Sequence, residues 1–365
     1  MNTHKKMMVS IVVMVLLMVL LLVGCVPSQQ EKNKGIVVGF MGPMSGDAAS
    51  YGLSILKGAQ LAVNELDLKN VKLVVEDSKC DPKEAVSAIN KLISVNKVQV
   101  IVGEVCSGAT LATAPIAAQN KVVMVSAAST SPKITPAGDY IFRTVPSDAH
   151  QAAFGAELLY QRGHKKLAVL YSNEEYGVGF NEVLKRIFPL LGGEVVASEP
   201  FERGDVDLRT QLTKVKSSGA DAVYIISNSP DSAAAALKQI KEMGLKVKIF
   251  GSEGLKSQAV LEGAKGAAEK MILTSVTSGN IGFMTKYKAM YHEEPGPFAA
   301  QAYDAFKATG LAIKEGAKTG EEIKNKFASV QFNGASGNVA FDANGDLAIA
   351  SYEVYIVENG KFEPQ

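Results

Sequence analysis

Short apolar runs and amphipathic stretches alternate along the chain, and the clearest example lies between Val98 and Thr110. The run from Val98 to Val102 is rich in β-branched residues, which is typical of a buried strand. Gly103 ends this run, and Ser107 opens a stretch with helical spacing of apolar residues. Such a strand-to-helix turn points backbone N–H groups and a hydroxyl at the carboxyl end of the strand. It therefore predicts a site for an anion, including the carboxylate of a small molecule.

The alternation occurs in two series. In the first, apolar runs are separated by helical stretches, and strands are predicted at 35–41, 71–75, 98–102 and 122–125. An extended segment at 141–145 leads into the second, with strands predicted at 166–171, 194–198, 222–226, 247–250 and 271–274. Strands that alternate with helices of about 10 to 15 residues indicate βαβ units and parallel sheets. We therefore predict an α/β fold with two Rossmann-like lobes around parallel central sheets.

Three later helices and a tail complete the predicted organisation. Helical stretches at 283–291, 298–315 and 320–328 are too many for the second series and are predicted to return to the first. The tail is predicted to form a hairpin from 336–341 and 348–357 around an Asn-Gly-Asp turn. Chain crossings at 145–146, 274–278 and 328–332 predict a three-segment hinge. The predicted divisions are a signal peptide (1–24), a lipidated tether (25–34), an N-terminal lobe (35–146 with 277–330) and a C-terminal lobe (147–276 with 331–365).

The first residues have the pattern of an export signal. Lys5 and Lys6 precede an almost unbroken apolar run at 7–23, which ends in Leu-Val-Gly before Cys25. This ending resembles the bacterial lipobox, in which the cysteine is acylated and becomes the mature N-terminus. The alternative is a membrane-spanning anchor, because the run is close to the ~17 residues that a span requires. Either interpretation places the body of the protein outside the cytoplasm, tied to a membrane in the periplasm or at the cell surface.

Two cysteines remain after Cys25, and their context favours a disulfide. Outside the cytoplasm, Cys80 and Cys106 are more consistent with a disulfide than with a metal pair, and both follow predicted strand ends. The alternative is a pair of buried thiols. The four histidines are scattered along the chain, without a second cysteine pair, at His4, His150, His164 and His292. We therefore expect neither a metal ion nor a cofactor.

Charge and motif content exclude several classes of function. Lys and Arg (38) nearly balance Asp and Glu (37), which leaves a formal charge of +1. Because a nucleic-acid partner would need a basic face or stripe, none is expected. No dinucleotide fingerprint, phosphate-binding loop, nucleophile elbow or evident catalytic triad occurs in the sequence. The adjacent acids Glu174 and Glu175 are interpreted as a solvated helix start, so we predict that the protein is not an enzyme.

Polar residues at predicted strand ends are the candidates for ligand binding. Ser107 could bind a carboxylate or could simply cap its helix. Ser129 and Thr130 follow the next strand, where their hydroxyls could reach the same crevice or could belong to a surface turn. Glu253 follows a strand of the second series, and its carboxylate could face an α-ammonium group or remain solvated. Two loop tyrosines could wall the ligand's side chain or be ordinary half-buried residues: Tyr51 and Tyr176.

Eight short motifs occur in order along almost the whole chain. They are G-P-M-S-G from Gly42, D-S-K-C-D-P-K-E-A from Asp77, C-S-G-A-T from Cys106, S-A-A-S-T-S-P from Ser126, F-R-T-V-P-S-D from Phe142, E-E-Y-G from Glu174, G-S-E-G from Gly251 and F-D-A-N-G-D from Phe341. Together they resemble the leucine/isoleucine/valine-binding proteins, which are the amino-acid branch of the type I periplasmic solute-binding proteins of ABC transporters. The resemblance extends from about residue 35 to residue 362.

The resemblance implies a disulfide and a carboxylate site in the N-terminal lobe, within a fold of the periplasmic binding protein-like I type. The family's conserved disulfide falls on Cys80 and Cys106. Its carboxylate-binding serine falls on Ser107. By the same resemblance, Thr130 and the backbone around Ser129 are expected to contribute to binding the carboxylate and the ammonium of the ligand.

The resemblance also implies an ammonium site in the C-terminal lobe. The family's ammonium-binding acid falls on Glu253, and its pocket tyrosines fall on Tyr51 and Tyr176. This chain departs from the family after the strand at 222–226, where aromatic residues are common in relatives. It has Ser-Asn-Ser-Pro there, which makes Asn228 a polar wall residue and weakens the expectation of a purely aliphatic ligand.

From these features we predict an extracytoplasmic, lipid-anchored substrate-binding protein of an ABC transporter. Its two lobes would close around an α-amino acid, in the first place a branched-chain one, and deliver it to permease subunits in the membrane. The alternative is a sensory or regulatory receptor for an amino acid or small amide that uses the same lobes. The expected partners are therefore a small amino acid, a permease and, through Cys25, a membrane.

Overall fold

The computed structural model describes residues 36–67 and 71–365, so the predicted signal peptide, tether and lipidated Cys25 lie outside the described residues. Two α/β lobes follow from the two series. The sheet of the N-terminal lobe has five parallel strands in the order β2-β1-β3-β4-β5. They are β1 (Ile36–Gly42), β2 (Val71–Asp77), β3 (Val100–Gly103), β4 (Val123–Ser126) and β5 (Ile141–Arg143). The predicted parallel α/β architecture is confirmed.

The sheet of the C-terminal lobe has seven strands in the order β14-β13-β10-β9-β8-β6-β7. Its parallel part comprises β6 (Lys166–Ser172), β7 (Glu194–Phe201), β8 (Ala222–Ile226), β9 (Lys248–Gly251) and β10 (Ile272–Ser275). Two antiparallel strands, β13 (Glu353–Glu358) and β14 (Lys361–Pro364), extend it beyond β10. A separate short hairpin pairs β11 (Gln331–Asn333) with β12 (Asn338–Ala340).

Helices cover both faces of the sheets, as the continuous apolar character of the strands requires. The described helices are α1 (Ala49–Glu65), α2 (Pro82–Ser94), α3 (Ser107–Gln119), α4 (Asp148–Gln161), α5 (Glu175–Leu190), α6 (Arg209–Ser217), α7 (Pro230–Glu242), α8 (Gln258–Ala264), α9 (Ile281–Tyr291), α10 (Ala299–Lys314) and α11 (Gly320–Phe327). None of these helices is both long and apolar enough to cross a membrane.

Alternate residues of β3 belong to different hydrophobic cores, which shows how the sheet is buried on both sides. Val100 and Val102 pack with Phe306 of α10 and Phe327 of α11 on one face. Ile101 packs on the opposite face among residues of α2 and α3. Full burial of such a side chain stabilises the fold by roughly 1.5–3 kcal/mol. The carboxyl end of β3, which begins the predicted anion site, is therefore held rigidly.

The C-terminal tail differs from the predicted single hairpin. The segment 336–341 pairs through β12 with β11, whereas β13 pairs with β10 and β14. The Asn-Gly-Asp turn closes only a single antiparallel bridge, between Phe341 and Leu347, and it also docks on β5. Gly345 accepts a hydrogen bond from the Arg143 N–H at 3.0 Å, and a Cβ on Gly345 would lie 2.2 Å from the Ile141 carbonyl oxygen. Strand alternation predicts extended backbone but does not select the pairing partner.

This pairing also divides the segment 331–365, which the sequence assigned as one piece to the C-terminal lobe. Val339 and Phe341 pack in the core of the N-terminal lobe, whereas β13 and β14 belong to the other sheet. The third chain crossing consequently lies between Phe341 and β13, later than the predicted 328–332. The apolar side chains of β11 and β12 hold this stretch on the N-terminal lobe.

Candidate ligand-binding site

Ser107 is the first residue of α3 and places its hydroxyl at the start of that helix. Cys106 is the N-cap residue, so Ser107 does not serve as the cap of this helix. The Ser107 side chain is buried, and its Oγ accepts a hydrogen bond from the Ser131 N–H at 3.2 Å. Because a hydroxyl both donates and accepts, Ser107 can still donate its own proton to a ligand. The amides at the start of α3 favour a negative charge at the same point.

A disulfide joins Cys106, which follows β3, to Cys80, which follows β2, with 5.4 Å between their Cα atoms; it links two strands that β1 separates in the sheet. The enclosed loop is worth roughly 3 kcal/mol in the chain-entropy view of cross-linking. Glu104 supports the same turn from within the protein, since it accepts hydrogen bonds from the Ser78 hydroxyl and from the Cys106 N–H. Burial raises the pKa of Glu104 to about 7. These contacts position the start of α3 before any ligand binds.

The loop after β4 places its two predicted residues differently from the prediction. The Ser129 hydroxyl lies 2.7 Å from the Thr110 hydroxyl and donates to the Glu104 carbonyl at 3.0 Å, so it is already occupied within the protein. Thr130 is also buried, and its hydroxyl has no hydrogen-bond partner among the described residues. Ala128, between the strand and these residues, lines the cavity described below. Neither Ser129 nor Thr130 lines that cavity.

Glu253 lies in a single 3₁₀ turn (Glu253–Leu255) that follows β9. Its side chain is only 3% exposed, and its Oε2 atom has no hydrogen-bond partner within the described part of the chain. Burial raises the pKa of the Glu253 carboxyl to about 7. The interpretation as a solvated loop residue is therefore wrong. A buried carboxylate with an unsatisfied oxygen is suited to accept a hydrogen bond from a cationic group.

The two tyrosines lie in the first turns of helices, not in loops as the sequence suggested. Tyr51 belongs to α1, and its hydroxyl donates to the Gly254 carbonyl of the other lobe at 2.6 Å. Tyr176 belongs to α5, and its hydroxyl donates to Ser252 Oγ at 2.7 Å. Both rings are buried. Each ring thus forms part of a fixed wall whose polar end is already bonded.

These residues meet at one small cavity of about 40 Å³ between the lobes. Five of the seven predicted ligand-binding residues line it: Tyr51, Ser107, Tyr176, Asn228 and Glu253. The N-terminal lobe contributes the hydroxyl and the amides, whereas the C-terminal lobe contributes the carboxylate and an amide side chain. The Asn228 Oδ1 atom has no hydrogen-bond partner among the described residues. The arrangement can bind a small molecule that carries opposite charges at adjacent positions.

Two residues near the cavity were not singled out from the sequence. Asp148 begins α4, and both of its buried carboxylate oxygens lack a hydrogen-bond partner in the described chain. Burial, together with the negative charge of Glu253, raises the pKa of Asp148 well above its usual value. Arg143 is fully buried, donates to the Thr130 carbonyl at 3.1 Å and pairs with Asp346 at 2.6 Å. Both lie in the F-R-T-V-P-S-D motif, but nothing in their spacing revealed these contacts.

Polar contacts join the lobes around the cavity. Arg203, in the loop after β7, donates to the Cys80 carbonyl at 2.9 Å, and its Nε lies 3.4 Å from the Asp47 carboxylate. Lys133 of the N-terminal lobe pairs with Glu175 of α5 at 2.9 Å. With the Tyr51 contact, these bonds hold the lobes together over the cavity. Among the described residues, no group of three or more His, Cys, Asp or Glu side chains is placed to hold a metal ion.

Two α/β lobes that meet over a small, mostly apolar cavity, with a hydroxyl on one wall and a carboxylate on the other, define a bilobal binding protein for small molecules. A sequence profile described as periplasmic binding protein matches residues 35–361. The chain belongs to this family, in the branch of the leucine/isoleucine/valine-binding proteins, which are binding proteins and not enzymes. The resemblance inferred from the eight motifs is therefore confirmed.

Individual relatives agree with this assignment. The chain is 29% identical over 334 residues to the leucine-, isoleucine-, valine-, threonine-, and alanine-binding protein of Pseudomonas aeruginosa, with 88% of this chain and 89% of that protein covered. A leucine binding protein from Thermotoga maritima is 31% identical, with a TM-score of 0.84 and with 90% and 97% of the two chains covered. The branched-chain amino acid transporter substrate binding protein LivJ from Streptococcus pneumoniae, in complex with isoleucine, is 31% identical, with a TM-score of 0.82 and coverage of 90% and 98%.

Proposed function

We propose that this protein binds an α-amino acid between its two lobes. The α-carboxylate would accept hydrogen bonds from Ser107 and from the amides at the start of α3. The α-ammonium would lie against Glu253 in the opposite wall. The observation that carries this proposal is the placement of the Ser107 hydroxyl, at the start of α3, and the unsatisfied buried carboxylate of Glu253 on one cavity. Opposite charges on opposite walls match a zwitterion, and closure of the lobes would shield both ion pairs from water.

Branched-chain amino acids are the first ligands to expect. The named relatives bind leucine or isoleucine, and the buried tyrosine rings supply apolar walls. Asn228 adds a polar group to the wall of the cavity. We therefore expect the ligand range to include amino acids with polar side chains as well as aliphatic ones.

In the cell, we expect the protein to act outside the cytoplasm as the substrate-binding component of an ABC transporter. The family assignment supports this role, and the sequence before residue 35 supports lipid attachment at Cys25. Closure around the amino acid would present one defined surface of the two lobes to a membrane permease. Metabolic labelling with palmitate, which Cys25→Ala should abolish, tests the anchor.

Isothermal titration calorimetry with the twenty common amino acids tests the binding proposal. Ser107→Ala and Glu253→Gln should each weaken binding of the preferred amino acid by at least tenfold, because a hydrogen bond to a charged group is worth about 1.5–3 kcal/mol. Glu262→Gln changes an exposed glutamate of α8 and serves as the matched control. Unchanged affinity in both site variants, or no binding of any amino acid, would contradict the proposal.

A further inference from the structure

A second and larger cavity adjoins the site. It has a volume of about 470 Å³ and lies between Lys256 and Tyr355 of the C-terminal lobe and the segments 275–278 and 294–298. Glu253 lines both this cavity and the smaller one. The two cavities therefore share a wall at Glu253, so the larger cavity is the space next to an ammonium group held by that residue. A cavity of 40 Å³ has room for about three water molecules, so it accommodates the polar head of a ligand and not a long side chain as well.

Lys256 turns its ammonium group inward at this larger cavity. The Lys256 Nζ atom donates to Ser278 Oγ at 3.0 Å and lies 3.5 Å from the centre of the Tyr355 ring. No carboxylate forms an ion pair with it in the described part of the chain. Glu353 influences it only at longer range, and the Glu353 carboxylate already accepts a hydrogen bond from the Tyr355 hydroxyl. Burial lowers the pKa of Lys256 to about 8.

Two exposed lysines of the C-terminal lobe differ from Lys256 in having a carboxylate partner. Lys214 and Lys270 are well exposed, yet each pairs with a glutamate, at 2.7 Å and 2.6 Å. Lys256 is more buried than either and lacks such a partner. Removing an ammonium group from water is costly unless an anion or several acceptors replace the water. A carboxylate in the cavity would supply that partner and would form a charge-assisted hydrogen bond.

The remaining charged groups of the cavity do not compete for this role. Glu294 pairs with Lys288 at 2.7 Å. Lys361 is exposed to solvent, so water already satisfies its charge. Glu253 faces the smaller cavity as well, where it has its proposed role with the ligand ammonium. The hydroxyls of Thr277 and Ser278 lie on the same wall, whereas the Ser275 hydroxyl already donates to the Val276 carbonyl at 3.0 Å.

We propose that the Lys256 cavity is a subsite for a distal carboxylate, so that the ligand class includes α-amino acids with an acidic side chain. This inference rests on the proposed function, because it assumes that the ligand's ammonium group is held at Glu253. The two acids of the ligand would then lie at opposite ends, one at Ser107 and the other at Lys256. The length of the acidic side chain that bridges these points is itself a measurable property.

Calorimetry with a matched series of ligands tests the subsite. Aspartate, glutamate and 2-aminoadipate vary the reach of the distal carboxylate, and glutamine removes its charge at almost constant shape. The wild-type protein should bind the best acid of the series at least tenfold more tightly than its neutral amide. Lys256→Met should remove that preference and leave the affinity for glutamine within twofold. Lys361→Met, which changes an exposed lysine of the same cavity, should alter neither affinity.

Two further measurements make each outcome decisive. Retained glutamine binding shows that Lys256→Met is folded, and if it fails to bind glutamine, Lys256→Arg replaces it and should keep the preference for the acid. Leucine binding by the wild-type protein tests the amino-acid site separately. If leucine binds but no acid is preferred over its amide, or if both lysine variants behave alike, the subsite is contradicted while the amino-acid site stands. If no amino acid binds, the proposed function itself fails.

Discussion

Two buried glutamates, one in each lobe, differ in how their carboxylates are satisfied. Glu104 follows β3 and accepts hydrogen bonds from the Ser78 hydroxyl and, at 2.6 Å, from the Cys106 N–H. Glu253 follows β9, and its Oε2 atom has no partner within the described residues. Burial raises the pKa of each to about 7. The two carboxylates are therefore similarly buried, but only that of Glu104 has its hydrogen bonds satisfied by the protein.

The difference distinguishes a structural acid, Glu104, from Glu253, the acid that we propose to bind the ligand. The Glu104 carboxylate already accepts hydrogen bonds from donors of its own lobe. These contacts fix the turn that begins α3. Glu253 lines the cavity with one oxygen unsatisfied, so the protein bears a desolvation cost there that a cationic ligand group can offset. A pKa shift alone would not distinguish the two residues, whereas the hydrogen bonds do.

The largest expected effect is on folding stability. Glu104→Ala should lower the free energy of unfolding by roughly 2–4 kcal/mol, because it leaves two buried donors without an acceptor. Glu253→Gln should instead raise it by roughly 1–3 kcal/mol at pH 8, since it removes a carboxylate that is costly to ionise in the folded state. Urea unfolding measures both. Equal destabilisation by the two substitutions would show that the glutamates have the same structural role.

The sign of the pH dependence follows from the raised pKa of Glu253. A group whose pKa is raised on folding contributes its stability at low pH, and that contribution is lost as the pH rises through the folded value of about 7. The stabilising effect of Glu253→Gln should therefore shrink between pH 8 and pH 5. Unfolding curves of the variant and the wild type at both values check this, and a constant difference would contradict it.

Ligand affinity should fall as the pH is lowered, whereas the contribution of Glu253 to folding stability increases. The change in affinity should also be the smaller of the two effects. The ammonium of the ligand needs the ionised form of Glu253, which is depleted as the pH falls below about 7. Affinity should drop about tenfold from pH 8 to pH 6, with proton release on binding, because one pKa unit corresponds to a tenfold change. The facing groups Asp148, Gln151 and Tyr176 do not supply a positive charge. Calorimetry in buffers of different ionisation enthalpy measures the protons, and Glu253→Gln should bind weakly at both pH values.

Substitutions that remove contacts between the lobes should have the smallest effects on amino-acid affinity, and the size of the effect should depend on how buried the contact is. Arg203 is partly buried and bonds to a backbone carbonyl of the other lobe, so Arg203→Ala should weaken amino-acid binding several-fold. The Lys133–Glu175 pair is exposed, and Lys133→Ala should change affinity less than twofold. Arg209→Ala, on the exposed start of α6, is the control for loss of an arginine. Equal effects of Arg203→Ala and Lys133→Ala on affinity would show that the partly buried contact and the exposed ion pair contribute alike.

Periodicity and strand-end chemistry were sufficient to predict the parallel sheets and five of the residues that line the candidate cavity. Ser107 and Glu253 could be found because both follow apolar runs, and the ends of parallel strands converge. The turn of the tail could be predicted, but the strands with which its two arms pair could not, since alternation does not select a pairing partner and the docking of Gly345 on β5 is a tertiary contact. Ser129 shows the same limit, because its hydroxyl turns to Thr110 and Glu104 only in the folded chain.

Residues whose role depends on what they do not contact were the hardest to predict. Asp148 and Lys256 have ordinary sequence surroundings, and what distinguishes them is burial without an ion-pair partner within the described residues. Arg143 is buried with many polar partners, because its guanidinium contacts the carbonyls of one loop and the carboxylate of Asp346. Sequence patterns report neither kind of environment, because both are set by long-range packing.

The most direct test is a crystal structure of the protein with leucine, or its best-bound amino acid, between the lobes. We expect the ligand's ammonium nitrogen within about 3 Å of a Glu253 carboxylate oxygen and its carboxylate within about 3 Å of Ser107 Oγ, the usual distances of charge-assisted hydrogen bonds. A ligand bound in the reverse orientation, or at a place away from both residues, would contradict the account.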